Sequence, residues 1–406
     1  MVNEIYPLGT LPAIGEVPKK MHAAVLRQEN YGHPANAFTI EKVDIPNIGK
    51  NDVLIAVMAA GVNYDGVWAA LGNPVDVIKQ NARRGYKEDY HIAGSDASGV
   101  VWAIGDEVNN VVIGDEVVIS CGIWDKNAND IQDGKSPMES ETAGIWGYDT
   151  NYGSFAQFAL VKDFQCYEKP RHLTWEQASC FMLTGATAFR QLMGFPPHQL
   201  HKEDPVLIWG GAGGLGEMAI KISRAFDAVP IAVVSDQEKE EFCKSIGAKG
   251  TINRKNFTHW GRLPNIENGI EMKNWTLEAK RFLNAYYDAL GEKRKPRIIF
   301  EHSGQDTIPT SIFICDTGGM VVICGGTSGY NADVDLRYLW VKQKRLQGSH
   351  FANPDDCAGI NKLVKTKKVT PTISEILDFE QIGLSHQKLL DNKNKSGSMV
   401  IKVGIK

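Results

Sequence analysis

The sequence predicts an α/β fold in which a doubly wound parallel sheet is inserted into a mostly β domain. Three observations predict it. An apolar strand runs straight into a glycine turn at 206–216, the first 173 residues read as short strands broken by glycine, and strands alternate with helices after about Thr174. With 406 residues, 43% of them hydrophobic, the chain has enough apolar side chains for two separate cores.

Taken in order, Ala23–Leu26, Val53–Val57, Gly99–Ala103, Glu116–Ser120 and Phe155–Val161 are short apolar runs between turn signals and read as strands. Gly105-Asp-Glu-Val and Gly114-Asp-Glu-Val read as turns rather than a metal site, because Asp after Gly is turn chemistry. Beyond Thr174 the strand candidates are Val206–Trp209, Pro230–Val234, Gly250–Ile252, Ile298–Glu301 and Gly319–Cys324. The segment 253–293 is longer and more polar than an ordinary crossover. It holds a predicted helix from Glu278 to Leu290, with Phe282, Ala285, Tyr286 and Ala289 on one face, which packs either on its own domain or on a partner subunit. The tail from about Gly348 ends in a strand-like Met399–Val403 and is expected to rejoin the first domain. The expected division is therefore 1–173, 174–347 and 348–406.

Net charge is −4, and Lys and Arg form no dominant run, so no polyanionic partner such as nucleic acid is indicated. No stretch of about 18 apolar residues is present, and a cytoplasmic protein is expected. Seven cysteines, at 121, 166, 180, 243, 315, 324 and 357, are dispersed without C-x-x-C spacing; neither a zinc lobe nor a disulfide framework is suggested.

Gly211, Gly213 and Gly216 have G-x-G-x-x-G spacing, with Gly214 and Leu215 opening the helix that follows. Leu215, Met218, Ala219, Ile222 and Phe226 recur at helical intervals. The first glycine allows the tight turn, the second lets a phosphate approach the backbone, and the third allows close helix packing, so a dinucleotide pyrophosphate is expected at the helix N-terminus. After the second strand come Ser235 and Lys239, a hydroxyl and a cation suited to a ribose 2′-phosphate and hence to NADPH; Asp236 blurs that signal, and Lys239 as a plain surface residue is the alternative.

The strand-rich lobe, inserted nucleotide domain and returning tail resemble the medium-chain dehydrogenase/reductase superfamily. Five strings, Trp146-Gly-Tyr-Asp-Thr-Asn-Tyr-Gly-Ser-Phe155, Phe300-Glu-His-Ser-Gly304, Thr327-Ser-Gly-Tyr330, Arg337-Tyr-Leu-Trp340 and Gly348-Ser-His-Phe-Ala-Asn353, are similar to its enoyl-CoA carboxylase/reductase branch. The resemblance implies a Rossmann domain set in a GroES-like catalytic domain, no zinc, and homo-oligomers, commonly tetramers. It also implies the reaction: hydride passes from NADPH to the β-carbon of a 2-enoyl-CoA, and the enolate takes a proton or carbon dioxide at the α-carbon.

In the carboxylating members the carbon dioxide pocket is an Asn, a Phe-Glu pair and a His, which fall on Asp65, Tyr148, Asp149 and His302. Only the histidine is kept. An ionised Asp65 would set negative charge beside a forming carboxylate, Asp149 is too short to brace its neighbours as Glu does, and Tyr148 adds a hydroxyl that can hold water or donate a proton. The expectation is a reductase of the kind that turns acryloyl-CoA into propionyl-CoA in the archaeal 3-hydroxypropionate/4-hydroxybutyrate carbon-fixation cycle. Reductive carboxylation is the alternative, and a non-catalytic nucleotide-binding protein the third reading. Tyr148 and His302 are proton-donor candidates, each with a structural alternative: a hydroxyl bonding Asp65 or Asp149, and a satisfied imidazole. The likeness further places Thr187, in Thr184-Gly-Ala-Thr-Ala188, near the nicotinamide, with Gly325, Thr327 and Ser328 bordering the ring or its ribose. Asn63 goes with the substrate, and Arg337, Lys344 and Arg345 are candidates for CoA phosphates, with simple solvation as the alternative for each.

Overall fold

Continuous apolar runs such as Val53-Leu-Ile-Ala-Val57 suit strands covered on both faces, and the computed structural model, which describes residues 3–404, bears this out. The first stretch contains β1 (Lys20–Leu26), β2 (Phe38–Asp44), β3 (Asp52–Gly61), β4 (His91–Ile92), β5 (Ala97–Ile104), β6 (Glu116–Ile119), β7 (Gly122–Ile123), β8 (Gly144–Ile145), β9 (Phe158–Lys162) and β10 (Cys166–Glu168). β3 is buried along nearly all its length and pairs antiparallel with both β5 and β9. Met21, Ala23 and Val25 of β1 pack with Leu54, Ala56, Trp102 and Phe158 to make the core there. The two Gly-Asp-Glu-Val turns need their glycines for different reasons. A Cβ at Gly105 would lie 2.1 Å from the carbonyl oxygen of Gly49, whereas Gly114 has φ +98°.

The second stretch contains β11 (Pro205–Trp209), β12 (Val229–Val234), β13 (Gly250–Asn253), β14 (Ile298–Glu301), β15 (Met320–Ile323) and β16 (Arg345–Gly348). They form one parallel sheet in the order β13-β12-β11-β14-β15-β16, the doubly wound arrangement expected. The strand order reverses between β11 and β14, so the crevice at their carboxyl ends is the place for a ligand. The long crossover packs on its own domain. The helix Gly269–Leu290 starts earlier than predicted and buries Trp275, Ala279, Phe282, Leu283, Tyr286 and Leu290; Phe282 stacks on Trp209 of β11 at 5.5 Å. β16 was not predicted, because Arg-Leu-Gln-Gly is polar enough for an edge strand and carries no apolar run.

The tail adds β17 (Ile373–Leu377) and β18 (Ser398–Lys402). β18 lies between β3 and β17, antiparallel to the first and parallel to the second, so the tail adds two strands to the sheet of β3, β5, β6, β9 and β10. By contacts the chain forms two compact units: one runs through Leu183 and takes up Asn353–Lys365 and the chain from Pro371, the other is Thr184–Ala352 with Thr366–Thr370. The break at 183/184 lies beyond the expected 173/174, because the short helix Trp175–Ala178 packs on β3 and β5. Residues 348–352 stay with the nucleotide unit: Ser349 N–H donates to Ile323 and Arg190 donates to the His350 carbonyl at 3.0 Å.

Candidate active site

In the nucleotide unit the three motif glycines do separate jobs. A Cβ at Gly211 would sit 2.7 Å from Ala232 Cβ, and one at Gly216 would strike the Gly210 carbonyl oxygen at 2.3 Å. At Gly213 the nearest atom is 3.6 Å away, so this face of the loop is open. Gly213 is also the N-cap of the helix Gly214–Ala225 and makes no side-chain cap, which leaves the first N–H groups of that helix, at Gly214, Leu215 and Gly216, without an intrahelical acceptor. An open glycine beside uncapped N–H groups fits a pyrophosphate.

At the end of β12, Ser235 donates to Asp236 at 2.9 Å, and Lys239 Nζ lies 3.3 Å from Ser235 Oγ and 3.6 Å from Asp236. Burial would raise the Asp236 carboxyl, but the Lys239 backbone N–H, Ser235 and the Lys239 charge outweigh it and hold it below its ordinary range. Asp236 caps the helix Gln237–Ser245, so its acid has a structural use. Ser235 and Lys239 stand together beside it.

His302 follows β14 directly. Its Nε2 is 3.0 Å from the Trp209 carbonyl oxygen, which can only accept, so Nε2 carries the hydrogen and donates. Burial holds the ring below the usual imidazole range, which leaves Nδ1 as an acceptor. As a direct proton donor His302 is therefore poorly set up; holding a water is what the ring can do. Thr327 N–H donates to the His302 carbonyl at 3.4 Å, and a Cβ at Gly325 would lie 3.2 Å from the same oxygen, so residues 325–327 border His302. The Ser328 hydroxyl donates to the Ser303 carbonyl and accepts from Asp306 N–H, which makes it a loop fastener. Thr187 is buried on the helix Met182–Met193 of the same unit.

The other unit holds Asn63, Asp65, Tyr148 and Asp149. Asp65, in the first turn of the helix Tyr64–Leu71, accepts a short hydrogen bond from Ser95 Oγ and another from Gly66 N–H at 2.9 Å. It keeps some exposed surface, yet its dense surroundings and then the Asp149 charge raise its carboxyl against the pull of those donors. Asp96 was missed by sequence reading. It is fully buried, accepts from Leu183 N–H at 3.3 Å, faces the Asn63 amide, and has an Oδ1 with no donor; burial raises it well above the usual carboxylate range. Asp149 is better braced than its length suggests, accepting from Ile145 N–H at 2.8 Å and from Gln80 Nε2 at 2.5 Å. Its turn, which also carries Tyr148, is held where His91 Nε2 donates to the Gly147 carbonyl at 3.1 Å while Asn81 donates to His91 Nδ1.

The three cations proposed for CoA phosphates have local partners instead. Lys344 is buried, donates to the carbonyls of Ile312 at 2.6 Å and Phe313 at 3.3 Å, and is lowered to about 8 by burial. Arg337 makes a two-pronged pair with Asp335. Arg345 bonds Gln347 and the Pro196 carbonyl. None is presented as a ready phosphate ligand. Among the described residues no group of three or more His, Cys, Asp or Glu is placed to hold a metal ion.

The alcohol dehydrogenase GroES-like domain family matches residues 49–171, and the zinc-binding dehydrogenase family matches 214–366. Over 401 residues, 99% of this chain and 92% of the relative, the sequence is 46% identical to a crotonyl-CoA carboxylase/reductase of Cereibacter sphaeroides. The solved structure of crotonyl-CoA carboxylase/reductase AntE in complex with NADP is 52% identical, with each chain fully covered and a TM-score of 0.96. That of the 2-octenoyl-CoA carboxylase reductase CinF, in complex with NADP and 2-octenoyl-CoA, is 30% identical over 96% of this chain and 89% of the other, with a TM-score of 0.87. An acryloyl-coenzyme A reductase of Sulfurisphaera tokodaii is only 22% identical over 91% of this chain and 97% of its own. The expected nearness to acryloyl-CoA reductases is thereby corrected in favour of the carboxylase/reductases.

Proposed function

Because the chain belongs to the crotonyl-CoA carboxylase/reductase family, we propose that it reduces a short 2-enoyl-CoA with NADPH and carboxylates the resulting enolate at its α-carbon. The observation that carries this reading is 46% identity sustained over 99% of the chain. NADPH supplies a hydride to the β-carbon; the protein's part is to hold the two reactants and to govern what meets the enolate.

The sequence argument against carboxylation turned on a negative Asp65. Its crowded surroundings raise the carboxyl, and Ser95 Oγ and the Gly66 N–H donate to its two oxygens, so the forming carboxylate meets an acid whose charge is drawn toward those donors rather than a bare one. Asp149, tied to Ile145 and Gln80, supplies a brace. His302, with Nδ1 as an acceptor, orients a water or keeps one from the enolate. Tyr148 supports a second reading, protonation without carboxylation, since a phenol on the Asp149 turn can deliver the proton an apolar ring could not.

The test follows NADPH oxidation with crotonyl-CoA and acryloyl-CoA, with and without bicarbonate, and identifies products by mass. Carboxylated product should dominate when bicarbonate is present, and Tyr148→Phe should raise its share at least twofold. Saturated acyl-CoA as the main product in bicarbonate would decide for the second reading. For the cofactor, Lys239→Ala should weaken NADPH binding about 10–30-fold and NADH binding less than about twofold in a fluorescence titration, the signature of a lost 2′-phosphate contact.

We also infer a homo-oligomer in the cytoplasm. Exposed Leu336, Trp340, Val341 and Leu346 beside the open edge strand β16 support association, and seven free cysteines suit a reducing compartment. No helix among the described residues is long and apolar enough to cross a membrane.

A further inference from the structure

We propose that Glu301 is the positioning residue for His302: its carboxylate gathers the backbone of 302–304 and two hydroxyls into one knot that fixes the imidazole with Nε2–H on Trp209 and Nδ1 as acceptor. The inference rests on the reading of His302 as an active-site group. Glu301, the last residue of β14, has no exposed surface. Its Oε1 accepts from the N–H groups of His302 at 3.0 Å, Ser303 at 2.8 Å and Gly304 at 3.4 Å, and from the Thr307 hydroxyl at 2.9 Å. Its Oε2 accepts from the Ser311 hydroxyl at 2.9 Å. Three of the five are backbone N–H groups, which can only donate and all fall on Oε1, and they oppose the burial that raises this carboxyl to about 7; in glutamine an NH2 would stand at the Oε2 position and face the Ser311 hydroxyl that now donates there.

Two routes lead from this carboxylate to the ring. One is the N–H of His302 itself. The other passes through Ser311, whose Oγ accepts from Trp209 Nε1 at 2.9 Å, to the residue whose carbonyl holds His302 Nε2. Trp209 is in turn clamped by its stacking on Phe282. Gly210 makes room for the ring where it stands, since a Cβ there would lie 2.5 Å from Nε2. A carboxylate that fixes a histidine's tautomer and orientation without touching substrate is the role of the third member in a base-and-orienter arrangement.

The test compares full-length wild type with Glu301→Gln by nitrogen NMR of labelled histidine and by steady-state kinetics. Wild type should show His302 as a single neutral Nε2–H tautomer. The variant should lose that signature and at least tenfold in kcat, with KM for NADPH and enoyl-CoA within twofold. A folded variant that keeps both the signature and kcat would overturn the proposal. Should Glu301→Gln fail to fold, Ser311→Ala removes only one donor and the Trp209 link; it should broaden or shift the His302 signal and lower kcat about threefold, and no change in either would equally overturn it. A wild type that turns over no enoyl-CoA would overturn the functional reading alone, since the tautomer is read without turnover.

Discussion

Gly213→Val should abolish measurable NADPH binding, raising Kd at least about 100-fold, or ~2.8 kcal/mol, while leaving the thermal midpoint within about 2 °C of wild type. Gly213 has ordinary φ and ψ of −77° and 165°, which valine accepts, and its Cβ would meet nothing closer than 3.6 Å. The space it fills is the one a pyrophosphate needs. Gly216→Val is the contrasting case. Its Cβ would press on the Gly210 carbonyl oxygen at 2.3 Å and Gly211 Cα at 2.7 Å, both backbone, so this variant should lose the fold of the nucleotide unit along with binding. Calorimetry and a fluorescence titration on the two variants separate ligand space from packing space. Equal loss of stability in both would show that Gly213 is a structural glycine.

Asp96→Asn should raise the thermal midpoint by about 5 °C at pH 8 and leave it unchanged near pH 3. Burial, reinforced by the neighbouring Asp65 charge, raises the Asp96 carboxyl well above its value in an unfolded chain, against the N–H of Leu183 and the Asn63 amide. The direction follows from proton counting. Below the ordinary carboxylate range both folded and unfolded states hold the proton and the penalty is absent. As pH rises, the unfolded state releases its proton first, so unfolding is favoured, and the loss of stability continues until pH passes the raised folded value. Asparagine has no such proton to lose. Its oxygen can keep the Leu183 N–H, and its NH2 replaces Asp96 Oδ1, which accepts from no donor, so no hydrogen bond is lost. A midpoint that tracks wild type across the whole pH range would mean that Asp96 is ionised in the fold at no cost.

The strands were legible where burial on both faces writes an unbroken apolar run, as in Val53–Val57, Val206–Trp209 and Ile298–Glu301. Elements without such runs were missed: β2 alternates around Glu41, and β16 is a polar edge. The glycine loop was legible because backbone geometry dictates spacing directly. Long side chains were not. Nothing in the sequence distinguishes Lys344, folded back to cap the helix Ile308–Ile314, from a lysine reaching into solvent. The ionisation of Asp65 was equally hidden, since a carboxylate reads as a charge until its surroundings are seen. Glu301 stood within a quoted string, but its task depends on Thr307 and Ser311, which only the fold brings back to it.

The position of β18 bears on how the molecule is made. The nucleotide unit is nearly contiguous in sequence and can fold as soon as Ala352 has left the ribosome. The first unit cannot. β9 covers Asp52–Ala56 of β3, but the place beside Ala59–Gly61, between β3 and β17, is filled by residues 398–402, so that end of β3 stays unpaired while more than three hundred further residues are made. Nascent chains stalled before Ser398 should therefore carry a finished cofactor domain beside an unfinished, chaperone-dependent catalytic one, and the order of assembly is opposite to the order of the sequence.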